Sequence, residues 1–308
     1  MKKVCVLMST YNGEQFVNEQ IESILNQTEV DIHIIIRDDG SVDNTVNIIK
    51  AFNDPRITLV EGENIGWKKS FSELLRMAPD YEYYAFSDQD DVWEKDKLVS
   101  GVNQIKNADL PALYYCDATV VDEQLCRIGE KINMDPFNEK LSNLFVCVGQ
   151  GCCMVLNLAA KQLFSQYRPN ADFSHEAWLC VLCAYFGIII HDRKQYINYR
   201  VTGNNTSGYG KTKKTALFIN FWRKEFRKKI YGLSEATLQK MIDVGLLNEI
   251  YDLFTLKEHK EEILELETVI HYKNSLENKK KLILSSKVHR QSLIGTMALK
   301  FAILFNLY

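Results

Sequence analysis

The chain has 308 residues, of which 46% are hydrophobic and 25% charged, an ordinary globular composition that excludes disordered and fibrous proteins. Its charge is unevenly divided. Residues 1–210 carry 19 Lys and Arg against 29 Asp and Glu, whereas residues 211–308 carry 18 against 11. These net charges of −10 and +7 indicate that the two parts face different partners.

The apolar run at residues 4–8 is too short for a signal-peptide core, and we predict that it forms a first buried strand. The last apolar stretch, residues 293–308, is shorter than a membrane span and is interrupted by Lys300. All eight cysteines lie before residue 184, and we expect reduced thiols packed as small hydrophobic groups. Cys180-x-x-Cys183 has no second such pair, so packing is favoured over a zinc site.

Residues 1–105 alternate between strand-length apolar runs and helical patterns. The runs are at 4–8, 33–36, 57–60 and 83–86. This alternation predicts a parallel sheet with right-handed crossovers, in which ligands bind beyond the carboxyl ends of the strands. Polar clusters follow three of the predicted strands, at residues 9–12, 38–41 and 88–91.

The rest of the chain divides into two parts. Residues 106–210 are less regular, with strands predicted at 113–116, 152–156 and 188–191 and a helix at 174–186 with Ser174 as its N-cap. From about residue 212, glycine and proline nearly vanish and helical periodicity dominates. We therefore predict a first domain of residues 1–210 and a basic, mostly helical region of residues 211–308.

Two acidic clusters suggest chemistry. Asp88-x-Asp90-Asp91 offers the oxygen ligands that Mg²⁺ and Mn²⁺ prefer, although a solvated turn is an alternative. Asp38-Asp39-Gly40-Ser41 is typical of a turn that opens a helix. That role is compatible with one of its carboxylates accepting the N3–H of a pyrimidine base.

Four motifs in order carry a resemblance to a known family. They are Ser9-Thr10-Tyr11-Asn12-Gly13-Glu14, Arg37-Asp38-Asp39-Gly40-Ser41, Asn64-x-Gly66, and Phe86-Ser87-Asp88-Gln89-Asp90-Asp91-x-Trp93. Over residues 4–105 the chain resembles family 2 glycosyltransferases, which are inverting enzymes with the GT-A fold, and the likeness is looser to about residue 208. The last motif resembles the rhamnosyltransferase-like branch of bacterial surface-polysaccharide enzymes. The resemblance implies an α/β fold with a mixed, mainly parallel sheet flanked by helices. Residues 1–105 would bind the nucleotide and residues 106–210 the acceptor.

The resemblance also implies site residues. Thr10, Tyr11 and Glu14 would line the nucleotide pocket. Asp39 would hold the base, with Asp38 alongside. Asp88 would face the ribose or donor sugar, Asp90 would bind the metal that bridges the diphosphate, and Asp91 would lie near it. Lys68 could reach the donor, with a surface helix lysine as the alternative.

The expected catalytic base is Glu176. An inverting transfer needs a carboxylate to deprotonate the acceptor hydroxyl, and Glu176 stands in Ser174-His175-Glu176-Ala177-Trp178 where the family often carries Asp. A helix N-terminus should favour its ionised form, and simple compensation of the helix dipole is the alternative role. Asp172 is the reserve candidate.

One departure from the family concerns the metal. In Tyr199-Arg200-Val201-Thr202, Thr202 stands where the family often has a metal-binding histidine. Three alternatives remain: Thr202 acts through water, His191 substitutes, or the metal binds more weakly. The third ligand is open.

The basic region indicates a partner of its own. Residues 216–231 combine a wide apolar arc with Lys and Arg, a pattern typical of a helix on an anionic membrane, with packing on the catalytic domain as the alternative. Nucleic acid is excluded because the acidic part would repel it. We therefore expect a cytoplasmic protein that is peripheral on the inner face of the plasma membrane.

The predicted function is inverting, Mn²⁺- or Mg²⁺-dependent transfer of a sugar from a UDP- or dTDP-sugar, with dTDP-rhamnose among the donors. The acceptor would be a hydroxyl of a glycan or lipid-linked glycan in surface-polysaccharide synthesis. The alternative is a non-catalytic sugar-nucleotide-binding partner that scaffolds another glycosyltransferase. A dehydrogenase domain is excluded because no G-x-G-x-x-G follows the first strand. Homo-oligomerisation is open.

Overall fold

The computed structural model describes residues 1–138, 148–166, 174–202, 260–290 and 292–305. Of these, residues 1–136, 148–166 and 174–202 belong to one compact unit, and residues 137–138, 260–290 and 292–305 belong to a second. The predicted domain boundary near residue 210 and the predicted helix at 216–231 lie outside the described residues, so both stay predictions.

The first unit is built on one nine-stranded sheet. Its strands are β1 (Lys2–Thr10), β2 (Val30–Asp38), β3 (Ile57–Glu61), β4 (Tyr83–Ser87), β5 (Val92–Trp93), β6 (Ala112–Val121), β7 (Arg127–Lys131), β8 (Met154–Asn157) and β9 (Ile188–Arg200). Their order is β3-β2-β1-β4-β8-β6-β9-β5, with β7 paired to β6. The helices of this unit are α1 (Val17–Leu25), α2 (Thr45–Ala51), α3 (Trp67–Met77), α4 (Lys97–Ile105), α5 (Leu158–Gln166) and α6 (His175–Phe186).

Strand pairing confirms the predicted mixed, mainly parallel sheet. β1 lies parallel to β2 and to β4, whereas β8 is antiparallel to both β4 and β6. The register pairs Thr10 with Asp38 and Met8 with Ser87. The carboxyl ends of β1, β2 and β4 therefore meet at one edge of the sheet, as the positions of the polar clusters predict.

The core explains why these strands read as continuous apolar runs. Residues 4–8 of β1 and Ile34 and Ile36 of β2 are fully buried, which is typical of a sheet covered on both faces. Cys180 and Cys183 are buried on α6 without a disulfide, as predicted. The predicted strand at 152–156 begins late, because residues 151–153 form a 3₁₀ turn before β8.

The second unit is helical in its described part. It contains α7 (Lys260–His271), α8 (Leu276–Leu284) and α9 (Leu293–Leu304). Ser275 and Ser292 cap α8 and α9, because their side chains accept the backbone N–H groups of Asn278 and Gly295. Within the described ranges, no helix has both the length and the apolar character needed to cross a membrane.

Candidate active site

Asp38 ties the ends of β1 and β2 together. It is 2% exposed, and its carboxylate accepts the Thr10 hydroxyl at 2.9 Å and the backbone N–H and hydroxyl of Ser41 at 2.8 and 2.6 Å. The structure thus brings Thr10 and Asp38 together. The hydrogen bonds of these two side chains therefore hold the turn that follows β2.

Asp39 fixes the loop that leads into α3. Its two oxygens accept the backbone N–H groups of Ile65 and Gly66 at 3.0 and 2.8 Å, and it forms a buried ion pair with Arg37. Gly66 has a φ of +82°, a conformation that favours glycine. A carboxylate has about four lone-pair sites, so a nucleobase N3–H would share Asp39 with these donors. Its predicted role as base ligand stays a prediction.

Tyr11 and Glu14 occupy different surroundings. The Tyr11 backbone pairs twice with the Gln89 side chain, at 2.8 and 3.1 Å, and this contact joins the end of β1 to the loop after β4. A Cβ on Gly13 would lie 2.3 Å from Gln89 Oε1, so any side chain at this position would displace the Gln89 amide. Tyr11 is 47% exposed, and this exposure leaves it accessible to a nucleobase. Glu14 is turned to α2, where it accepts the Asn44 N–H at 2.9 Å.

The acidic loop after β4 is held from β9. Arg200 is buried, and its Nε donates to the Asp90 carbonyl at 2.8 Å while its backbone N–H donates to Asp91 Oδ1 at 3.1 Å. The guanidinium also pairs with Glu19 of α1. Sequence reasoning assigned no role to Arg200, although its motif matched the family. The structure makes it the residue that positions the acidic loop.

The carboxylates of this loop are desolvated and crowded. Burial, with the Glu176 charge, raises the pKa of Asp88 to about 6, and burial, with the Asp88 charge, raises that of Asp90 to about 7. Asp91 is fully buried, and its pKa is raised well above its usual value for the same reasons. Asp91 Oδ2 has no hydrogen-bond partner among the described residues. This donor set fits a divalent cation, which would relieve the repulsion and use the unpaired oxygen.

A cysteine joins two of these acids. One oxygen each of Asp88 and Asp91 and the Sγ of Cys152 all lie within 4.8 Å of one another, a spacing that could hold a metal ion. Of the two residues predicted at the metal, Asp91 is in this group and Asp90 is not. From the sequence Cys152 is predicted to be one of the packed thiols, since the chain has many cysteines in apolar segments and nothing local distinguishes this one.

Glu176 lies in the first turn of α6, near the acidic loop. Its side chain is 18% exposed, and Oε2 lies 3.1 Å from His175 Nδ1. Burial raises the pKa of Glu176, and the Ser174 hydroxyl and the Lys68 charge only partly oppose this. The backbone N–H of Glu176 at this helix N-terminus favours the ionised form, as expected, but burial has the larger effect on the pKa. Glu176 thus lies within electrostatic reach of both Asp88 and Lys68.

His175, the neighbour of Glu176 in the chain, is packed among aromatic rings. Its ring packs against Phe71 and Phe86 with centroids 4.6 and 4.3 Å apart. A Cβ on Gly151 would lie 2.6 Å from its Nε2. Burial lowers the pKa of His175 to about 3, so the ring is neutral at pH 7. His175 therefore acts through shape, fixing the start of α6.

His191 is committed elsewhere. Its Nε2 lies 2.9 Å from Asp117 Oδ1 and its Nδ1 lies 2.6 Å from Asp135 Oδ1. Both ring nitrogens are occupied, so the alternative in which His191 replaces the family histidine at the metal is wrong. Asp172, the reserve base, lies outside the described residues.

Comparison with known proteins places the chain. The family model "Glycosyl transferase family 2" matches residues 5–161. The chain is 32% identical over 255 residues to the dTDP-rhamnosyl transferase RfbG of Shigella flexneri, covering 74% of this chain and 84% of RfbG.

Three solved structures of two proteins share the fold. TarS of S. aureus matches with a TM-score of 0.52 and 21% identity over 92% of this chain, which spans only 46% of TarS. Its 1–349 fragment in complex with UDP-GlcNAc matches with a TM-score of 0.54 and 16% identity, covering 99% of this chain and 90% of the fragment. The Pyrobaculum calidifontis mannosyltransferase PcManGT, in complex with GDP-Man and Mn²⁺, gives a TM-score of 0.51 and 16% identity, covering 100% of this chain and 81% of that one. At these identities the likeness concerns the GT-A fold alone.

Proposed function

The chain belongs to glycosyltransferase family 2 and is a glycosyltransferase, and from that premise we propose that it transfers a sugar from a UDP- or dTDP-sugar to an acceptor hydroxyl with inversion at the anomeric carbon. The observation that carries the proposal is the approach of Glu176, from the start of α6, to Asp88, from the end of β4. In this proposal, the base and a donor-side carboxylate lie within electrostatic reach of each other.

In this proposal Glu176 is the base. Its raised pKa makes the ionised carboxylate a stronger proton acceptor than a solvated glutamate. It takes the acceptor hydroxyl proton as that oxygen bonds to C1 and the bond from C1 to the diphosphate breaks, with the electron pair leaving on the phosphate oxygen. Attack from the face opposite the leaving group inverts the configuration.

On the donor side, Asp90 and Asp91 are proposed to hold Mn²⁺ or Mg²⁺, with Asp88 facing the ribose or donor sugar. Such an ion, when bound, stabilises the negative charge of the departing diphosphate. Thr10, Tyr11, Glu14, Asp38 and Asp39 are proposed to line the nucleotide site. Tyr11 offers an exposed ring for the base, and Lys68, on the first turn of α3, is proposed to contact the donor.

For the donor we propose dTDP-rhamnose, because RfbG, which matches 74% of this chain over 84% of its own length, carries that specificity in its name. The acceptor would be a glycan or lipid-linked glycan of bacterial surface polysaccharide. The test is a panel of dTDP- and UDP-sugars with Mn²⁺ or Mg²⁺, read out as thermal shift and as released nucleoside diphosphate, with NMR of the anomeric configuration. We expect dTDP-rhamnose to give the largest thermal shift and a product of inverted configuration. A retained configuration would overturn the inverting mechanism, and preference for another donor would overturn the donor assignment.

A membrane surface is the proposed second partner of residues 211–308. The described part of α9 exposes a continuous apolar face, formed by Leu293, Ile294, Met297, Phe301 and Leu304, and residues 211–308 carry a net charge of +7. An apolar helix face within a basic region is typical of binding to anionic lipid. The full chain should co-sediment with anionic but not neutral vesicles, and Met297→Glu with Phe301→Glu should abolish this. Co-sedimentation unchanged in that variant would contradict the assignment of α9.

A further inference from the structure

We propose that Trp67 is the acceptor platform of this chain, an aromatic surface on which the ring of an acceptor pyranose stacks while Glu176 takes the proton of its hydroxyl. Trp67 is the first residue of α3 and is 39% exposed. This inference rests on the glycosyl transfer proposed above. It deepens that proposal by naming the class of acceptor, which is a cyclic sugar rather than an acyclic polyol.

The start of α3 is fixed from two sides, so the indole of Trp67 has a defined position. Asp39 accepts the backbone N–H of Gly66, the residue before Trp67, at 2.8 Å. The indole meets the His175 ring edge to face, with the ring centroids 6.3 Å apart and the ring planes at 84°. His175 is itself 3% exposed. The indole therefore rests against a rigid part of the core while a large part of Trp67 stays open to a ligand.

In the described part of the chain, the ring contacts of Trp67 lead to the base. His175 directly precedes Glu176, and its Nδ1 lies 3.1 Å from Glu176 Oε2. Lys68 Nζ lies 5.8 Å from the centre of the indole, and the charge of Lys68 acts on Glu176. A base must come within about 3 Å of the oxygen that it deprotonates. A sugar whose hydroxyl reaches Glu176 therefore lies beside the indole.

An exposed indole beside a proton acceptor suits a pyranose. The C–H groups on one face of a pyranose ring pack on the face of an aromatic ring, whose negative charge attracts their hydrogens. The hydroxyls at the rim of the sugar stay available for hydrogen bonds, so one of them can reach Glu176. Tryptophan also provides a large contact area with only two rotatable bonds, which keeps the entropic cost of binding low. An acyclic polyol such as ribitol has no fixed C–H face and gains little from the same surface.

The first test is the binding of sugars to the full chain without a donor, with methyl α-rhamnoside, methyl β-glucoside and ribitol as probes. We expect the two pyranosides to receive saturation transfer at their ring C–H protons in NMR, and we expect ribitol to receive none. The transfer should be lost in Trp67→Ala and retained in Trp67→Phe, which keeps an aromatic face. Met77→Ala is the matched control and should bind as the wild type does, because Met77 is the last residue of the same helix and is 48% exposed.

The second test is kinetic and distinguishes the acceptor from the donor. With dTDP-rhamnose and a pyranoside that supports transfer, Trp67→Ala should raise the KM for the acceptor about tenfold or more, the effect of removing an aromatic anchor from a binding surface. The KM for the donor should stay within about twofold of the wild-type value. A rise in the donor KM with an unchanged acceptor KM would overturn the acceptor platform.

The outcomes separate this proposal from the proposed function. If the pyranosides give the same signal with the wild type and with Trp67→Ala, or if ribitol binds as well as they do, the acceptor platform is overturned and the glycosyl transfer is left standing. Pyranoside binding that depends on Trp67, in a chain that transfers no sugar from any donor, supports the platform and overturns the proposed reaction. Should Trp67→Ala fail to fold, Trp67→Leu, which keeps apolar bulk without an aromatic face, provides the same comparison.

Discussion

Two groups of carboxylates lie on the same edge of the sheet and are treated in opposite ways. Asp38 and Asp39, at the end of β2, accept hydrogen bonds on every carboxylate oxygen. Asp39 also forms an ion pair with Arg37. Asp88, Asp90, Asp91 and Glu176 are desolvated and repel one another, and Asp91 Oδ2 lacks a partner in the described part of the chain. The first group has its charge compensated by the fold, and the second has less compensation from the described residues, which is consistent with the proposed metal site. We therefore expect changes at Asp38 and Asp39 to act mainly on stability, and changes at the crowded acids to act mainly on binding and catalysis.

The largest effect is expected at the base. Glu176→Gln should lower the rate of sugar transfer by about 10² to 10⁴-fold, because the amide cannot take up the proton of the acceptor hydroxyl. The affinity for the donor should stay within about twofold of the wild-type value. Steady-state kinetics with donor binding by calorimetry measures both. Glu63→Gln, an exposed glutamate beside Asn64, is the matched control and should be silent. Undiminished transfer by Glu176→Gln would remove Glu176 from the mechanism.

Stability should respond most at Asp39. Asp39→Asn leaves Arg37 buried without its counter-charge and turns an amide donor toward one of the two loop N–H groups. We expect a loss of about 3 kcal/mol in the free energy of unfolding, the usual cost of breaking a buried ion pair. Urea denaturation measures this. A loss below about 1 kcal/mol would mean that Asp39 is compensated no better than a surface charge, and the contrast between the two groups would fail.

The crowded carboxylates Asp88 and Asp90 should make the stability of the fold depend on pH. Asp88 and Asp90 have folded-state pKa values of about 6 and about 7 against an ordinary 3.8. Between about pH 4 and pH 7 the folded chain therefore binds more protons than the unfolded chain, and without metal its stability falls as pH rises through this window.

Mn²⁺ and a neutral substitution should both reverse that fall. Asp88→Asn should raise metal-free stability at pH 8 by on the order of 1 kcal/mol while weakening Mn²⁺ binding. Thermal melting from pH 4 to 8, with and without Mn²⁺, reads both effects. A metal-free stability that rises across the window would contradict the desolvated state of these acids.

The smallest effect on stability is expected at an exposed ion pair, which is the baseline against which Asp39 is compared. Lys50 and Glu61 form an ion pair at 2.6 Å with both side chains about half exposed. Glu61→Gln should change the free energy of unfolding by less than about 1 kcal/mol, because solvent and salt screen an exposed pair. Urea denaturation in low and high salt tests this. A larger change would show that Asp39 is not distinguished by its burial.

Much of the fold was predictable because each signal is local. Residues 4–8 are apolar without interruption because β1 is covered on both faces, and that run predicted the strand. The 3₁₀ turn before β8 was missed, since its residues are as apolar as the strand that follows. His191 could be assigned only when Asp117 and Asp135, far away in sequence, were seen on its two nitrogens.

By itself, the sequence determined the family, the parallel sheet of the first half and the acidic edge at which its strands end. Motif order and hydrophobic period are properties of neighbouring residues, and they need no partner from elsewhere. Only the tertiary structure decided which acids are compensated, that desolvation outweighs the helix dipole at Glu176, and that Cys152 lies against Asp88 and Asp91. Hydrogen-bond partners and burial arise where β4, β8 and α6 come together, and no local pattern contains that distance information.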